Sequence, residues 1–247
     1  ERLYHVQAAM IVPTYNEIDN LEPLVRQLLD LQAGLAIIVV DDNSPDGTGK
    51  LADRLAAEHD QVQVIHRPGK LGLGTAYRAG FAQAIALGAP LVMTMDADFS
   101  HHPRYVPAML AKAQECDLVI GSRYVAGAEQ CTLWRIALSR GANLFAKVML
   151  GLEAHDCTAG FRCYRREVLE RIDLDRILSE GYSFLIEMLY RVQRAGFRVG
   201  EVPICFRNRR HGASKISRAE IARAMATVMR LWWARVVGDR KHVIREA

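Results

Sequence analysis

Four short β-rich runs, separated by segments with helical periodicity, constrain the fold of this chain more than any other feature. The runs cover residues 8–12, 35–40, 62–65 and 91–95, and a further strand is predicted at 117–120. A run that is apolar throughout, as 35–40 is, is typical of a central strand buried on both faces, and strand–helix alternation produces a parallel sheet. The sequence therefore predicts an α/β fold with a doubly wound, mainly parallel sheet flanked by helices.

Helical periodicity fills the gaps between these strands and returns towards the carboxyl terminus. Helices are predicted over residues 18–31, up to about 59, up to 87 and, in the less regular second half, over 134–150 and 219–237. No internal repeat and no low-complexity linker divides the 247 residues, half of which are hydrophobic. One domain with a sizeable core is therefore expected.

Cysteine usage and charge exclude several classes of protein. Five cysteines without a CxxC pair indicate neither a disulfide framework nor a zinc site, and predict thiols in a reducing compartment. No uncharged apolar run reaches the ~18 residues that span a bilayer. From Glu201 onward, eleven Lys and Arg stand against four Asp and Glu. This basic end is either a solvated helix or a surface for phosphates and anionic lipids, and no nucleic-acid-binding module accompanies it.

The acid pair Asp96 and Asp98 follows the strand at 91–95 and faces the polar ends of the other strands. Residues i and i+2 of a strand share one side, so two carboxylates converge there. Mg²⁺ and Mn²⁺ bind such oxygens, with a diphosphate completing the shell, and Ser100 offers another oxygen or a water-bridged contact. The alternative is a helix cap, with Asp98 or Ser100 opening a helix near Pro103. The histidine pair after Ser100 is interpreted as loop residues that support the acids.

Two other strand ends carry candidates for nucleotide binding. Asp42, next to Asp41, is placed to accept hydrogen bonds from a base or ribose, although acidic residues also favour tight turns. Tyr15 is placed to pack on a base, and Glu17 to accept from base or sugar donors. Loop architecture and ligand contact explain each residue equally well. The glycines at 69–74 match neither GxGxxG nor GxxxxGK[ST], which excludes the Rossmann and P-loop fingerprints.

Several cations lie in loops or at the ends of predicted elements. A metal ion neutralises only part of the charge of a diphosphate, so a transferase needs further cations for the leaving group and for an acceptor phosphate. Taken singly, each is an ordinary surface residue. The candidates are Arg123, Arg135, Arg140, Arg207, Arg209, Arg210 and Lys215.

Taken together, these motifs make the chain resemble the dolichyl- and polyprenyl-phosphate mannose synthases, which are inverting family-2 glycosyltransferases with a GT-A fold. PTYNE, DD and DAD occur in many family-2 enzymes, whereas GLGTAY, DADFSHHP, SRGAN and the G-x-S-K ending are more specific to this branch. Asn43 stands where the family more often has glycine, and Ser100 where some members have a longer polar ligand. The matching segments are VPTYNE at 12–17, DDNSPDGT at 41–48, GLGTAY at 72–77, DADFSHHP at 96–103, GSRY at 121–124, SRGA at 139–142 and GASK at 212–215.

The resemblance implies a role for each candidate residue. It implies a single domain over 1–247, with a nucleotide-sugar half at about 1–125 and an acceptor and membrane-facing half at about 126–247. The residues implied to hold GDP are Pro13, Tyr15, Glu17, Val40 and Asp42. Those implied to surround the metal and diphosphate are Asp96, Ala97, Asp98 and Ser100. Those implied to hold the leaving and acceptor phosphates, and to act with Asp98 in catalysis, are Arg123, Arg135, Arg209 and Lys215.

The implied reaction transfers mannose from GDP-mannose to a polyprenyl or dolichyl phosphate with inversion, using Mg²⁺ or Mn²⁺. The acceptor phosphate is ionised near neutral pH, so no strong general base is required. The alternatives are a polyprenyl-phosphate glucose synthase that uses UDP-glucose, a haloacid-dehalogenase-like phosphatase whose DxDx[TV] motif resembles 96–100, and a non-catalytic nucleotide-binding module. The expected location is peripheral, on the cytoplasmic face of a membrane, through direct contact or a small membrane-anchoring subunit.

Direct membrane contact would use one of the two predicted C-terminal amphipathic helices. In 219–237, apolar residues recur at helical spacing, and Trp233 adds a second indole beside the stripe. Packing on the domain is the ordinary fate of such a helix. Paired tryptophans and flanking arginines favour contact with a lipid interface, and 134–150 is a second candidate. The stripe consists of Ile221, Met225, Val228, Met229, Trp232 and Val236.

Overall fold

The computed structural model describes residues 6–125, 133–205 and 218–237, with the backbone alone described at 133–140, 182 and 218–221. In these ranges seven strands form one sheet, in the order β3-β2-β1-β4-β6-β5-β7. The strands are β1 Ala8–Thr14, β2 Leu35–Asp41, β3 Val62–His66, β4 Leu91–Thr94, β5 Leu118–Ser122, β6 Arg162–Arg165 and β7 Val199–Pro203.

Helices connect the strands and cover both faces of the sheet. Short 3₁₀ turns at Pro103–Tyr105 and Leu174–Arg176 add to them. The helices are α1 Ile18–Asp30, α2 Thr48–Glu58, α3 Leu73–Ala86, α4 Val106–Lys112, α5 Leu133–Leu150, α6 Arg166–Arg171, α7 Tyr182–Arg194 and α8 Arg218–Val237.

The predicted doubly wound, mainly parallel sheet is confirmed. Strands β1 to β4 pair in parallel with one another, and β5 pairs in parallel with β7. The exception is β6, which runs antiparallel to both β4 and β5. The carboxyl ends of β1, β2, β4 and β5 therefore share one edge, to which the polar clusters were assigned.

Four helices and strands of the second half were missed by the sequence analysis: β6, α6, α7 and β7. Strand β6 begins and ends with arginine, and Arg162 is completely buried, so its sequence lacks the apolar run of a central strand. Strand β7 lies at the edge of the sheet and is half-buried for most of its length. Polar residues hide both strands from a search for apolar runs.

The core has one layer on each face of the sheet. Ile38 and Val40 of β2 point into one layer, and Ile37 and Val39 point into the other, all with no exposed surface. Complete burial of such a side chain is worth about 1.5–3 kcal/mol. Double-sided burial is the reason that β2 is apolar from Leu35 to Val40 and becomes acidic only where it leaves the core.

Close packing of α3 draws its first turn to the same edge of the sheet. A Cβ atom at Gly80 would lie 2.5 Å from Ile11 Cγ2, and one at Gly74 would lie 2.7 Å from the ring of Phe184. Only glycine allows these approaches to β1 and α7. The loop before α3 is thereby held beside the ends of β2 and β3.

Candidate active site

The acid pair lies in a tight turn directly beyond β4. Asp98 is buried, and its Oδ1 accepts the N–H group of Ser100 at 3.0 Å. Asp96 is more open, with 31% of its side chain exposed. Phe99 between Asp98 and Ser100 has a positive φ of 59° although its ring is buried, a conformation that costs a bulky residue about 1–3 kcal/mol. The core thus holds the acid-pair turn in a strained shape.

The helix-cap alternative for this motif is wrong. The 3₁₀ turn at Pro103–Tyr105 is capped by His102, whose side chain accepts the N–H group of Arg104 at 3.2 Å. Asp98 makes its described backbone contact within its own turn instead. The acid pair therefore needs another explanation than helix initiation.

The buried ring of His101 braces the acid pair. Its Nδ1 accepts the N–H group of Asp96 at 3.4 Å, and the ring stacks on Phe161 with centroids 5.5 Å apart. Burial lowers the pKa of His101, so the ring is neutral at neutral pH. This position agrees with the interpretation of the histidine pair as supporting residues.

The oxygens of this turn fit a hard divalent cation. Ser100 Oγ is buried and has no hydrogen-bond partner among the described residues. Asp96, Asp98 and Ser100 therefore offer two carboxylates and an available hydroxyl, the donor types that Mg²⁺ and Mn²⁺ prefer. In the described part of the chain, no cluster of three or more His, Cys, Asp or Glu completes a metal cage. A site of this kind is completed by water and by the phosphates of a ligand.

Asp41, the last residue of β2, and Asp42, the residue after it, have different contacts. Asp41 accepts from Thr14 Oγ1 at 3.0 Å and from the Ser44 hydroxyl at 2.6 Å and N–H group at 3.0 Å. It therefore organises the turn. Asp42 carries one ion pair, with Arg67 Nη1 2.8 Å from its Oδ1, at an angle that does not make a straight hydrogen bond. Burial raises the pKa of Asp42, and the charge of Arg67 offsets only part of that effect.

The loop after β1 is joined to the turn after β2. The N–H groups of Asn16 and Glu17 donate to Ser44 Oγ and Thr48 Oγ1, both at 3.0 Å. Tyr15 lies beside this junction, with Lys70 Nζ 4.7 Å from its ring centroid. The left-handed φ of 56° at Asn43 explains why glycine is common there in the family that the chain resembles. The predicted nucleotide residues Tyr15, Glu17 and Asp42 thus belong to one edge.

Beyond β5, Arg123 is anchored to an acid that the sequence analysis did not identify. Its Nε and Nη2 donate to the two oxygens of Asp156, both at 2.7 Å, and its N–H group donates to Oδ2 at 3.1 Å. Nη2 also donates to Thr158 Oγ1 at 2.9 Å. Asp156 is completely buried. Burial would raise its pKa, but the hydrogen bonds and charge of Arg123 outweigh burial and hold the pKa below its usual value.

The segment 154–161 is a loop between α5 and β6 that lies against the acid pair. A Cβ atom on Gly160 would lie 3.6 Å from Asp96 Oδ1, and Thr94 Oγ1 donates to the Gly160 carbonyl at 2.6 Å. A polar, glycine-containing segment next to a strand would have indicated this loop, but β6 was not recognised as a strand. The structure thus brings Asp96, Arg123 and Asp156 to one part of the edge.

Comparisons with known proteins place this edge in a family. The family model described as glycosyl transferase family 2 matches residues 9–173. The chain belongs to glycosyl transferase family 2. The acid pair of this glycosyltransferase follows the fourth strand, which, with family membership, makes the phosphatase alternative wrong.

Curated relatives of this glycosyltransferase cover nearly its whole length. It is 48% identical to the polyprenol monophosphomannose synthase of Mycolicibacterium smegmatis over 89% of this chain and 84% of that one. It is 45% identical to the undecaprenyl-phosphate mannosyltransferase of Micrococcus luteus over 89% and 91% of the two chains. The resemblance to the lipid-phosphate mannose branch is therefore confirmed.

A solved structure supports the fold of this glycosyltransferase. Glucosyl-3-phosphoglycerate synthase from Mycobacterium tuberculosis, in complex with Mn²⁺, uridine diphosphate and glucosyl-3-phosphoglycerate, is 22% identical with a TM-score of 0.68. The match covers 92% of this chain and 80% of that one. At this identity the comparison bears on the fold alone, and the GT-A architecture is confirmed.

The remaining predicted site residues fall into two groups. Pro13 and Val40 are paired neighbours in β1 and β2, and Ala97 is buried between the two acids. Arg207, Arg209, Arg210 and Lys215 lie outside the described residues, and so do the side chains of Arg135 and Arg140 in α5. The phosphate-binding roles of this second group stay predictions.

The apolar stripe predicted for α8 divides between two faces of the helix. Val228 and Leu231 are buried, and Trp232 packs half-buried against the core. The opposite face is exposed, including Trp233 with 64% of its surface accessible. Other exposed residues are Met225, Met229, Val236 and Val237 of α8, and Leu144 and Val148 of α5. No helix within 6–125, 133–205 and 218–237 is both long and apolar enough to cross a bilayer.

Proposed function

We propose that this glycosyltransferase moves mannose from GDP-mannose to a polyprenyl or dolichyl phosphate, with inversion at the anomeric carbon. The observation that carries the proposal is the placement of Asp96 and Asp98 beyond β4, two strands away from Asp42 beyond β2. Two strand spacings amount to about 10 Å, a span that suits a nucleoside diphosphate. The names of the two curated relatives support mannose and a lipid phosphate as the groups that are joined.

Mg²⁺ or Mn²⁺ would be held by Asp96 and Asp98, with Ser100 in direct or water-mediated contact. The unpartnered hydroxyl of Ser100 and the Asp98 turn support this assignment. When bound, such an ion would offset the charge of the leaving diphosphate.

The nucleotide would lie across the ends of β1 and β2. Asp42 has one ion pair and accepts donors of the base, and Tyr15 packs on the base. Glu17, Pro13 and Val40 complete this part of the site, and Ala97 lies against the diphosphate. A guanine presents two adjacent donors, N1–H and N2–H, to the two oxygens of one carboxylate, whereas a uracil presents one, and this difference favours GDP over UDP.

Transfer needs little proton chemistry from the protein. An ionised oxygen of the acceptor phosphate attacks the anomeric carbon from the face opposite GDP. The bond between that carbon and the diphosphate breaks, and its electron pair leaves with GDP. Positioning of two anions then dominates the rate, and the proposed holders of these anions are Arg123, Arg135, Arg209 and Lys215.

The enzyme would reach its lipid substrate from one side of a membrane, as a peripheral protein on the cytoplasmic face. The exposed face of α8 carries Trp233, Met225 and Met229, and Arg223 and Arg235 are also exposed on this helix. Apolar side chains with flanking arginines suit the boundary of an anionic bilayer. A small membrane-anchoring subunit is the alternative occupant of the same face.

A donor and acceptor screen tests the reaction. The wild-type protein is incubated with GDP-mannose or UDP-glucose, a short polyprenyl phosphate, and Mg²⁺, Mn²⁺ or excess chelator. We expect lipid-linked mannose from GDP-mannose alone, and none with chelator. Transfer from UDP-glucose instead would identify a glucose synthase, and phosphate release without transfer would contradict the proposal.

Acid-pair variants test the assignment of the metal site. Asp96→Asn and Asp98→Asn should abolish metal-dependent transfer while the far-ultraviolet circular dichroism of the protein stays unchanged. Turnover close to wild type, with the same metal dependence, would show that the metal lies elsewhere.

A matched tryptophan pair tests membrane contact. Trp233→Ser should weaken co-sedimentation with vesicles that contain phosphatidylglycerol and leave the melting temperature unchanged. Trp232→Ser should lower the melting temperature and leave co-sedimentation unchanged, because that indole packs against the core. If the wild type ignores vesicles and needs a second subunit to use long-chain acceptors, the exposed face binds protein.

A further inference from the structure

We infer that Asp156 is a positioning residue, which acts on transfer by fixing the guanidinium group of Arg123 at the edge of the sheet. The inference rests on the proposed function, because it assigns Arg123 to the phosphates. It adds a residue that does not itself contact substrate.

The geometry of the pair makes Asp156 the anchor and Arg123 the group that is held. Arg123 is 22% exposed and reaches the buried carboxylate through two side-chain nitrogens and its own backbone N–H group. Such a two-pronged contact fixes the plane of a guanidinium group as well as its distance. The additional contact of Nη2 with Thr158 restrains the same group further.

The backbone on both sides of Asp156 is held by residues of β7 and α5. Glu201 Oε1 accepts the Asp156 N–H group at 3.1 Å, and Glu201 Oε2 accepts that of His155 at 3.0 Å. Asn143 Oδ1 accepts the N–H group of Cys157 at 2.7 Å. The carboxylate therefore has a defined place on the scaffold, formed by β7 and α5, before it meets Arg123.

A second buried arginine fixes the rest of the loop. Arg162 is completely buried and donates to the carbonyl oxygens of Cys157, Ala159 and Leu185 at 2.8–2.9 Å. Among the described residues no carboxylate forms an ion pair with it. Its charge helps to lower the pKa of Asp156. Arg123 and Arg162 thus hold the loop at residues 156–159 from two sides, one through the Asp156 carboxylate and the other through backbone carbonyl groups.

The anchored loop connects Arg123 with the acid pair. Gly160 lies against Asp96, and its carbonyl is held by Thr94 of β4. A displacement of the loop would therefore change the distance between Arg123 and the carboxylates of the metal site. Misplacement of about 1 Å at a site of this kind can cost about a hundredfold in rate.

A double-mutant cycle tests whether Asp156 acts through Arg123. The variants are Asp156→Asn, Arg123→Gln and the combination, assayed with GDP-mannose and a short, soluble prenyl phosphate. We expect Asp156→Asn to lower kcat about tenfold or more and to change the Kd of GDP with Mn²⁺ about twofold at most. The double variant should be no slower than Arg123→Gln alone, because interdependent residues are not additive. The inference would be overturned if the loss of kcat in the double variant equalled the product of the two single losses, or if Asp156→Asn left kcat unchanged.

Glu187→Gln is the matched control for loss of a buried carboxylate. Glu187 is completely buried and paired with Arg191 at 2.7 Å and Arg230 at 2.6 Å, between α7 and α8. Its replacement should lower the melting temperature but leave kcat for the soluble acceptor within about twofold. An equal loss of kcat in this control would mean that general destabilisation explains Asp156→Asn.

Two further measurements keep the test decisive. If Asp156→Asn does not fold, Thr158→Val removes one contact of Arg123 without a change of charge, and its smaller loss of kcat should also disappear in the Arg123→Gln background. If the wild type transfers no sugar, the proposed function fails separately. Hydrogen exchange of the Arg123 Nε–H group with solvent, measured by nuclear magnetic resonance, then tests the positioning itself. Slow exchange in the wild type and fast exchange in Asp156→Asn would support the inference. Equal exchange in the two proteins would overturn it.

Discussion

Two arginine–carboxylate pairs lie at the same edge of the sheet and differ in how completely the carboxylate is satisfied. Asp42 meets Arg67 through one contact at 2.8 Å, and burial raises its pKa. Asp156 meets Arg123 through three hydrogen bonds, which outweigh burial and lower its pKa. The hydrogen bonds and charge of Arg123 outweigh burial at Asp156, whereas the charge of Arg67 does not outweigh burial and the neighbouring Asp41 at Asp42. The comparison separates an acid suited to accept a ligand from an acid that belongs to the scaffold.

The largest expected difference between the pairs concerns stability. Asp156→Ala leaves Arg123 without its buried partner and should lower the free energy of unfolding by about 3–5 kcal/mol. Asp42→Ala should cost less, about 1–2 kcal/mol, because buried Arg67 keeps its hydrogen bonds to Thr75 Oγ1 and to the Gly72 carbonyl. Urea unfolding of both variants measures the two losses. Equal losses would mean that the two pairs are energetically alike.

Nucleotide affinity should reverse the order of the two acids. Asp42→Asn should weaken the binding of GDP about 10- to 100-fold, the equivalent of about 1.5–3 kcal/mol for a hydrogen bond to a charged group. Asp156→Asn should leave the Kd of GDP within about twofold, because Asp156 has no ligand-facing oxygen in this assignment. Isothermal titration calorimetry checks both values. A strong effect of Asp156→Asn on GDP binding would contradict the division of roles.

The pH dependence of stability should have opposite signs for the two acids. Asp156 has a lowered folded-state pKa, so its stabilisation is present above its ordinary pKa and is lost as pH falls through the folded value. Asp42 has a raised folded-state pKa, so its contribution favours the folded state at low pH and is lost as pH rises through that value. Unfolding curves of the wild type and the two Asn variants between pH 3 and 7 separate these trends. Parallel curves would contradict the assigned directions.

The smallest expected effect concerns the neighbours that tune Asp42. Arg67 and Lys70 both lower the pKa of Asp42, Arg67 more strongly. As pH falls, GDP affinity should decrease when Asp42 becomes protonated. Arg67→Met should therefore move the midpoint of this decrease to higher pH, and Lys70→Met should move it in the same direction by less. Binding measured across a pH series provides the midpoints. A larger shift for Lys70→Met would indicate that Lys70, near Tyr15, and not Arg67, controls the acid.

The sequence predicted those parts of the fold whose physics is local. Continuous apolar runs identified β1 and β2, because double-sided burial leaves no room for polar residues, and shorter, mainly apolar runs identified β3 to β5. The same rule missed β6, since Arg162 is buried there and satisfied by carbonyl groups of the loop directly before it and of α7. Solvation of a buried cation by backbone oxygens depends on tertiary structure, and no spacing in the chain announces it.

The site divides in the same way. Asp96 and Asp98 were recognisable because a strand end places them together, whereas Asp156 comes from a loop about sixty residues later. The different roles of Asp41 and Asp42 also needed coordinates, since Thr14 and Ser44 select one of the two acids. On α8, spacing identified apolar positions but not the two faces, because α5 and α7 decide which side is covered.

The strained backbone at Phe99 affects how the acid pair behaves in each catalytic cycle. The strain of about 1–3 kcal/mol is balanced by burial of the phenyl ring, worth about 1.5–3 kcal/mol, so the turn adds little to net stability. It does couple the orientation of Asp98 to the packing of the layer that contains Phe99. In the proposed site, the carboxylates would therefore adopt their geometry when the chain folds and would not have to search for it when a substrate arrives.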